Sequence, residues 1–312
     1  MSAGEKVRNA GKDAMTQRLI GAIEAGGTKF IVALAREDGE ILTRGRIPTG
    51  HPAVTLAAAH SFFEQAQDEH GRIGAFGIAT FGPIDIDPAS PDYGTFTTTP
   101  KPGWRGVRIQ DCLMQFAVPV RIDTDVNGAA IGEWQSGAGQ GCRTLAYTTV
   151  GTGIGTGLVR NGRALAGISH YESGHIVPPQ DRVSDPFAGI CPFHGGCLEG
   201  LASGPAIAER YGTSLDRLGP AEVDVVAGYL GHMASTLVLL HMPDRLIFGG
   251  GVMKVPGLIE RLRHHAAANL NGYVHHPRLD RGLEQYIVTP ALGDDAGITG
   301  AIELGRQALL VT

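Results

Sequence analysis

Three glycine-rich turns and one acidic segment are the parts of this sequence best suited to chemistry. The turns are Glu24-Ala25-Gly26-Gly27-Thr28-Lys29, Gly151-Thr152-Gly153-Ile154-Gly155-Thr156-Gly157 and Phe248-Gly249-Gly250-Gly251-Val252. Each follows an apolar run, where a strand should end. Glycine lets backbone N–H groups approach phosphate oxygens with no side chain in the way. The hydroxyls of Thr28 and Thr152 add donors to the same oxygens. One such turn alone reads equally well as an ordinary tight turn. Three of them, with Asp123-Thr124-Asp125-Val126-Asn127 between the first and second, point to a nucleotide held between two lobes. Asp125 is the candidate general base, since an attacking hydroxyl needs a carboxylate within hydrogen-bond reach. It lies between a predicted strand and a predicted helix, so a helix N-cap is an equal reading of the residue alone. Lys29 faces either phosphate or solvent. A Rossmann dehydrogenase is a poor fit. Its G-x-G-x-x-G opens a helix, whereas residues 151–157 run into another strand.

A second cluster has the composition of a metal site. Cys191, His194 and Cys197 stand in a Cys-x-x-His-x-x-Cys loop, with Gly195 and Gly196 to let it turn, and His175 lies upstream. Zn²⁺ takes thiolate and imidazole ligands tetrahedrally, and a closed set of four is structural. Two reduced cysteines beside surface histidines is the plainer alternative. His170 lies close by in sequence and has no role in this reading. Cys112 and Cys142 stand alone and read as inert.

The elements that must position these residues follow a repeated order. Strands are expected at 19–24, 30–35 and 41–47, with the first glycine turn and the Asp38-Gly39 hairpin between them. Strands at 144–150, 157–160 and 163–166 repeat that meander around the second glycine turn and Asn161-Gly162. Further strands are expected at 74–79, 120–124, 245–248 and 286–290. Helices are expected at 52–69, 107–116, 126–135, 198–211, 220–240, 255–269 and 296–310. The fold class is therefore α/β, with a duplicated β-meander unit and two facing lobes. We expect a disordered tail at 1–17, a first lobe at 18–127 to which the last helix returns, and a second lobe at 128–295 carrying the metal loop.

Composition narrows the partners. At 312 residues with 43% hydrophobic content, the chain can bury two cores. A net charge of −5 gives no basic footprint for nucleic acid. No apolar stretch of about 18 residues reads as a membrane span. The first 17 residues lack the apolar run of a secretory signal, and four cysteines in a chain of this size do not suggest disulfides. The cytoplasm is the expected compartment.

Taken together, Glu24 to Lys29, Asp125-Val126-Asn127, Glu172-Ser173-Gly174-His175, the loop from Cys191 to Gly200, Gly249-Gly250-Gly251 and Gly293-Asp294-Asp295-Ala296-Gly297 resemble the ROK family. These are sugar kinases and sugar-responsive repressors on the two-lobed actin/hexokinase-type, ribonuclease H-like fold. The resemblance covers about residues 19 to 306, with the motifs in the family's order. It is nearest to bacterial fructokinases, through glutamate at 24, Thr99-Pro100-Lys101-Pro102-Gly103-Trp104 and the Cys-x-x-His-x-x-Cys loop. The resemblance implies ATP, Mg²⁺ and a structural Zn²⁺, a hexose substrate and a homodimer. It implies that Asp125 is the base and that Glu24, Gly26, Gly27, Thr28 and Lys29 form the first phosphate motif, with Glu24 positioning magnesium. Gly151, Thr152 and Gly153 would form the second phosphate motif, and Gly249, Gly250 and Gly251 the turn beside adenosine. Asn127, Glu172, His175 and Glu199 would serve the sugar, and His175, Cys191, His194 and Cys197 the zinc. Phe81, Gly82, Pro83 and Trp104 would line the sugar cleft. Thr124 replaces an asparagine of many relatives, and Asp123 reads as structural. A repressor would need a helix-turn-helix domain, for which the residues ahead of the first strand are too few.

Overall fold

The computed structural model describes residues 18–310; the expected tail at 1–17 lies outside the described residues. The chain opens with β1 (Leu19–Ala25), β2 (Lys29–Arg36), β3 (Ile41–Pro48), α1 (Pro52–His70), β4 (Ile73–Thr80), β5 (Val120–Thr124) and α2 (Asp125–Ser136). It continues through β6 (Thr144–Val150), β7 (Ile154–Arg160), β8 (Arg163–Ala164), α3 (Leu198–Ala202), α4 (Gly204–Tyr211) and α5 (Pro220–His241). The last elements are β9 (Arg245–Gly249), α6 (Leu258–Leu270), α7 (Pro277–Asp280), β10 (Ile287–Val288) and α8 (Ala296–Leu309).

The two sheets have the same build. One runs β3-β2-β1-β4-β5 and the other β8-β7-β6-β9-β10, each an antiparallel meander followed by two parallel strands. The meander repeat read from the sequence is thus half of a larger duplication, in which α2 after β5 corresponds to α8 after β10. Strand β2 shows how a sheet covered on both faces is written. Phe30, Val32 and Leu34 join one core with Phe63 of α1, while Ile31, Ala33 and Ala35 join another with α8.

Helices α2 and α8 lie between the sheets, α8 against β4 and β1, α2 against β7 and β6. Residues Val126 to Glu133 of α2 are all buried, as expected of a helix covered on every side. The two helices meet at glycines: a Cβ on Gly300 would stand 1.7 Å from the Gly128 carbonyl oxygen. A third core lies beyond the second sheet, around α5 and α6.

Several expectations need correction. The helix expected at 198–211 breaks at Ser203, which is extended and caps α4 through its hydroxyl. Pro205 lacks the N–H that an unbroken helix would donate to the Leu201 carbonyl, and its ring would clash there, so the break is local chemistry. The stretch expected to be helical at 107–116 is a 3₁₀ run over Ile109–Phe116. Strand β7 begins at Ile154 and not at 157, so Gly155 belongs to the strand and not to the turn. Gly157 admits α2 closely, since a Cβ there would lie 2.7 Å from the Val126 carbonyl. Finally, α5 is long and apolar enough by length and composition to cross a membrane. Its apolar residues Val226, Leu230, Met233 and Leu237 lie in the core beside α6, which explains its hydropathy.

Candidate active site

The first sheet brings its strand ends into line. Ala25 pairs with Thr80, and Thr80 with Thr124, so the residues around them share one edge of the sheet. Asp125 is the first residue of α2, not its cap. Thr124 is the cap, and its hydroxyl accepts from the Asn127 N–H at 3.2 Å. That leaves the Asp125 side chain half-buried at the helix start, with Oδ1 accepting from the Val126 N–H at 2.8 Å. Burial pushes its carboxyl up to about 6, against the pull of that N–H, with Glu172 adding to the rise. Asn127 is only 2% exposed, and its amide donates to Asp123 Oδ1 at 2.6 Å. Asp123 also accepts from the Thr124 N–H at 2.8 Å, so it braces the start of the helix.

Glu24 lies on the same edge. Burial pushes its carboxyl up to about 7; Lys29 opposes the rise and Asp125 adds to it. Its Oε2 is buried with no hydrogen-bond partner among the described residues. Its carboxylate rests against Gly297 of α8, where a Cβ would stand 2.5 Å from Cδ. A buried, unsatisfied carboxylate oxygen costs free energy unless a cation or proton meets it.

The first glycine turn is the β1–β2 hairpin loop, closed by the Gly26 N–H on the Lys29 carbonyl at 2.9 Å. Gly27 and Thr28 are exposed. Lys101 Nζ donates to the Gly27 carbonyl at 2.5 Å, a contact the sequence did not reveal. The second turn, Gly151, Thr152 and Gly153, is the matching β6–β7 loop, closed by the Gly151 N–H on the Gly153 carbonyl at 2.9 Å. The third turn leaves β9 at Gly249 and crosses the end of β6. Gly250 has φ +93° and a Cβ there would lie 2.4 Å from the Val150 carbonyl, so only glycine fits. Asp294 pairs with Lys254, just past the third turn, at 2.9 Å, and that pair, with a smaller pull from Lys29 of the first turn, holds its carboxyl below the usual carboxylate range.

The second cluster also assembles. One ligand atom each from His175, Cys191, His194 and Cys197 lie within 4.8 Å of one another. Cys191 Sγ stands 3.8 Å from His175 Nδ1 and 3.6 Å from His194 Nδ1, and Cys197 Sγ stands 3.5 Å from His175 Nδ1. A tetrahedral Zn²⁺ with Zn–S about 2.3 Å and Zn–N about 2.0–2.1 Å has S···N edges of about 3.6 Å, so these three separations are compatible with the ion. Burial, with neighbouring Cys191, pushes the Cys197 thiol up to about 11, so a cation is needed to ionise it near neutral pH. Cys112 and Cys142 lie outside the set; burial pushes the Cys112 thiol up to about 12.

The loop from Cys191 to Cys197 leads directly into α3. Cys197 caps α3 by accepting from the Gly200 N–H at 3.5 Å. Glu199, in that helix's first turn, accepts from the Ile154 N–H at 2.9 Å, beside the second glycine turn. Glu172 precedes the single 3₁₀ turn Ser173–His175 and pairs with His170 at 3.3 Å. Trp104 needs correction as a cleft residue. It is fully buried, donates its indole N–H to the Gly50 carbonyl at 3.1 Å, and packs against Phe30, Phe81 and Phe96. Its place is in the core of the first half, behind Phe81.

A family model described as ROK family matches residues 20–308. The chain belongs to the ROK family. Among its ROK relatives, a fructokinase of Zymomonas mobilis is 42% identical over 94% of this chain and 98% of its own length. A putative fructokinase of Bacillus subtilis is 41% identical over 93% of this chain and 96% of its own. Among solved structures, a ROK hexokinase from Thermus thermophilus superposes with a TM-score of 0.76 at 27% identity, over 94% of this chain and all of that one. A ROK glucokinase from Streptomyces griseus, solved with glucose and AMPPNP, gives a TM-score of 0.71 at 26% identity, over 93% and 99% of the two chains. These neighbours bear out the actin/hexokinase-type fold class and the family resemblance.

Proposed function

We propose that this ROK-family chain is an ATP- and Mg²⁺-dependent fructokinase that converts D-fructose to D-fructose 6-phosphate. The observation that carries the chemistry is Asp125: a carboxylate at the start of α2, poised near pH 6, on the sheet edge that also holds Glu24 and the first glycine turn. The choice of sugar rests on fructokinase relatives at about 40% identity along nearly the whole chain.

In this reading fructose and ATP lie in the cleft between the lobes at 18–127 and 128–295, with α8 returning to the first. Asp125 Oδ2 accepts the proton of the attacking hydroxyl while the Val126 N–H holds Oδ1. Glu199 and Glu172 accept from other sugar hydroxyls, and His175, facing the cysteines through Nδ1, offers Nε2 to the sugar. Asn127 serves the sugar only through its hold on Asp123. The N–H groups around Gly26, Gly27 and Thr28, and those around Gly151, Thr152 and Gly153, meet the phosphates, and Gly249 to Gly251 meets the adenosine. The unpartnered Glu24 Oε2 fits a hydrated Mg²⁺, which supplies positive charge to the phosphate oxygens. Zinc on His175, Cys191, His194 and Cys197 holds the loop that carries Glu199. Reduced thiolate ligands and an ATP substrate suit the cytoplasm. A homodimer belongs to the same proposal, and sedimentation should then give twice the 32.7 kDa of one chain.

The raised carboxyls set a pH dependence. Asp125 works as a base only when ionised, so kcat/KM should fall about tenfold per pH unit once pH drops below about 6. Glu24 must lose its proton to hold a cation, so apparent Mg²⁺ affinity should weaken below about pH 7. A pH series at saturating and limiting Mg²⁺ separates the two; a flat profile from pH 5 to 8 contradicts both.

The sugar assignment is tested by kcat/KM for fructose, glucose, mannose and N-acetylmannosamine at fixed ATP and Mg²⁺. A carboxylate enclosed with the bound sugar and left without its hydroxyl costs about 1–3 kcal/mol, or about 5- to 150-fold. Fructose should lead by at least that margin; a faster rival sugar overturns the fructokinase reading and leaves the kinase.

A further inference from the structure

His170 is more deeply committed than its exposed segment suggests. It sits among irregular residues where neighbouring Ile168 is wholly exposed, yet its own side chain is 8% exposed. Its Nδ1 stands 3.3 Å from Glu172 Oε1, whose side chain is 51% exposed. Its Nε2 faces the Ile84 N–H at 3.4 Å, 86 residues away in the first half of the chain. Gly82 lies against the same ring, and a Cβ there would be 3.8 Å from Cε1 and Nε2.

These partners determine the tautomer. A backbone N–H can only donate, so Nε2 must accept from Ile84. The proton is then on Nδ1, facing a carboxylate oxygen that can only accept. One neutral imidazole satisfies both. The ring therefore ties Glu172 to the turn after β4, across the two halves of the chain. Few other bonds hold Glu172: its segment belongs to no strand, and its backbone carbonyl is fixed by the His175 N–H at 3.0 Å.

We propose that His170 is a positioning residue that fixes Glu172 Oε1 through Nδ1–H, so that Oε2 is presented to a sugar hydroxyl, and that its Nε2 bond to Ile84 makes this depend on the first half of the chain. The proposal rests on the reading that Glu172 contacts the sugar. A long carboxylate side chain that is half exposed samples many rotamers; one charge-assisted hydrogen bond restricts them before the sugar arrives. The cost of losing His170 should therefore fall on sugar binding, not on ATP and not on the chemical step.

The test is steady-state kinetics with fructose and ATP for Glu172→Gln, His170→Ala, His170→Asn and His170→Gln, with circular dichroism and metal content as fold controls. Asparagine places its amide near Nδ1 and can still donate to Glu172; glutamine places its amide near Nε2 and cannot. His170→Ala should raise the fructose KM about 10- to 100-fold, the loss of one hydrogen bond to a charged group, with kcat and the ATP KM changed less than about threefold. His170→Asn should recover most of the fructose KM and His170→Gln should not. If His170→Ala does not fold, the contrast between Asn and Gln still decides. A raised fructose KM in Glu172→Gln with none in His170→Ala, or Asn no better than Gln, overturns the positioning role and leaves Glu172 in place. An unchanged fructose KM in Glu172→Gln overturns the sugar role of Glu172, and the assignment of His170 falls with it.

Discussion

Asp125→Asn is expected to lower kcat with fructose by about 10²–10⁴, the range for losing a positioned general base, while the fold stays intact. Asparagine keeps the shape, and its side-chain oxygen can still accept from the Val126 N–H that now binds Oδ1. It cannot take up the hydroxyl proton. The same substitution should leave stability at neutral pH equal or higher. In the folded chain the carboxyl titrates near 6 instead of its ordinary 3.8, mainly through burial. Ionising it in the native state therefore costs free energy, which grows as pH rises from 3.8 to about 6 and is constant above. A neutral amide removes that cost, as often happens when a functional charge is deleted. Kinetics with a melting curve check both halves. Near-normal turnover in a folded Asp125→Asn protein contradicts the role of the base. Lost turnover with a lower melting temperature would assign the residue to structure instead.

Removing the metal is expected to raise the fructose KM by about an order of magnitude or more, and to lower thermal stability, before it affects ATP binding. The reason is continuity of chain: Cys197 is at once a candidate ligand and the cap of α3, and Glu199 sits in that helix's first turn. Losing the ion frees the loop whose end sets the carboxylate. Cys197→Ser is the sharper test, because a serine hydroxyl can still cap the helix through the Gly200 N–H. It deletes the thiolate and spares the cap. Elemental analysis of protein purified without added metal should find about one zinc per chain, and Cys197→Ser should lack it. The Glu199 bond to Ile154 borders the second glycine turn, so a smaller effect on ATP is expected to follow. Metal-free protein with unchanged fructose KM contradicts the account of this loop.

Which features were legible in the sequence follows from how local each is. The two meanders could be read because hairpin turns and apolar runs are written within a few residues. The metal set could be read because three of its four ligands share one loop. The pairing of α2 with α8 could not. It depends on Gly128 and Gly300 meeting across most of the chain, and both read simply as small residues in helices. Trp104 is ambiguous in sequence because an indole suits a sugar cleft and a core equally; its bond to Gly50 decides. The role of Thr124 could not be read either: its hydroxyl caps α2 and so frees Asp125 from that duty. The place of His170 could not be read because its partner Ile84 contributes only a backbone N–H, which no residue type announces. A histidine two residues before a candidate sugar carboxylate was the one available signal.

The most direct test of the central claim is identification of the product when purified protein is given ATP, Mg²⁺ and D-fructose. Phosphorus and carbon NMR of the quenched mixture, with ADP measured in parallel, follow the transferred group. The account predicts one fructose 6-phosphate for each ADP formed, with sugar phosphate and ADP lost together in Asp125→Asn. ADP released without a sugar phosphate, or a phosphate found on another hydroxyl of fructose, would contradict it.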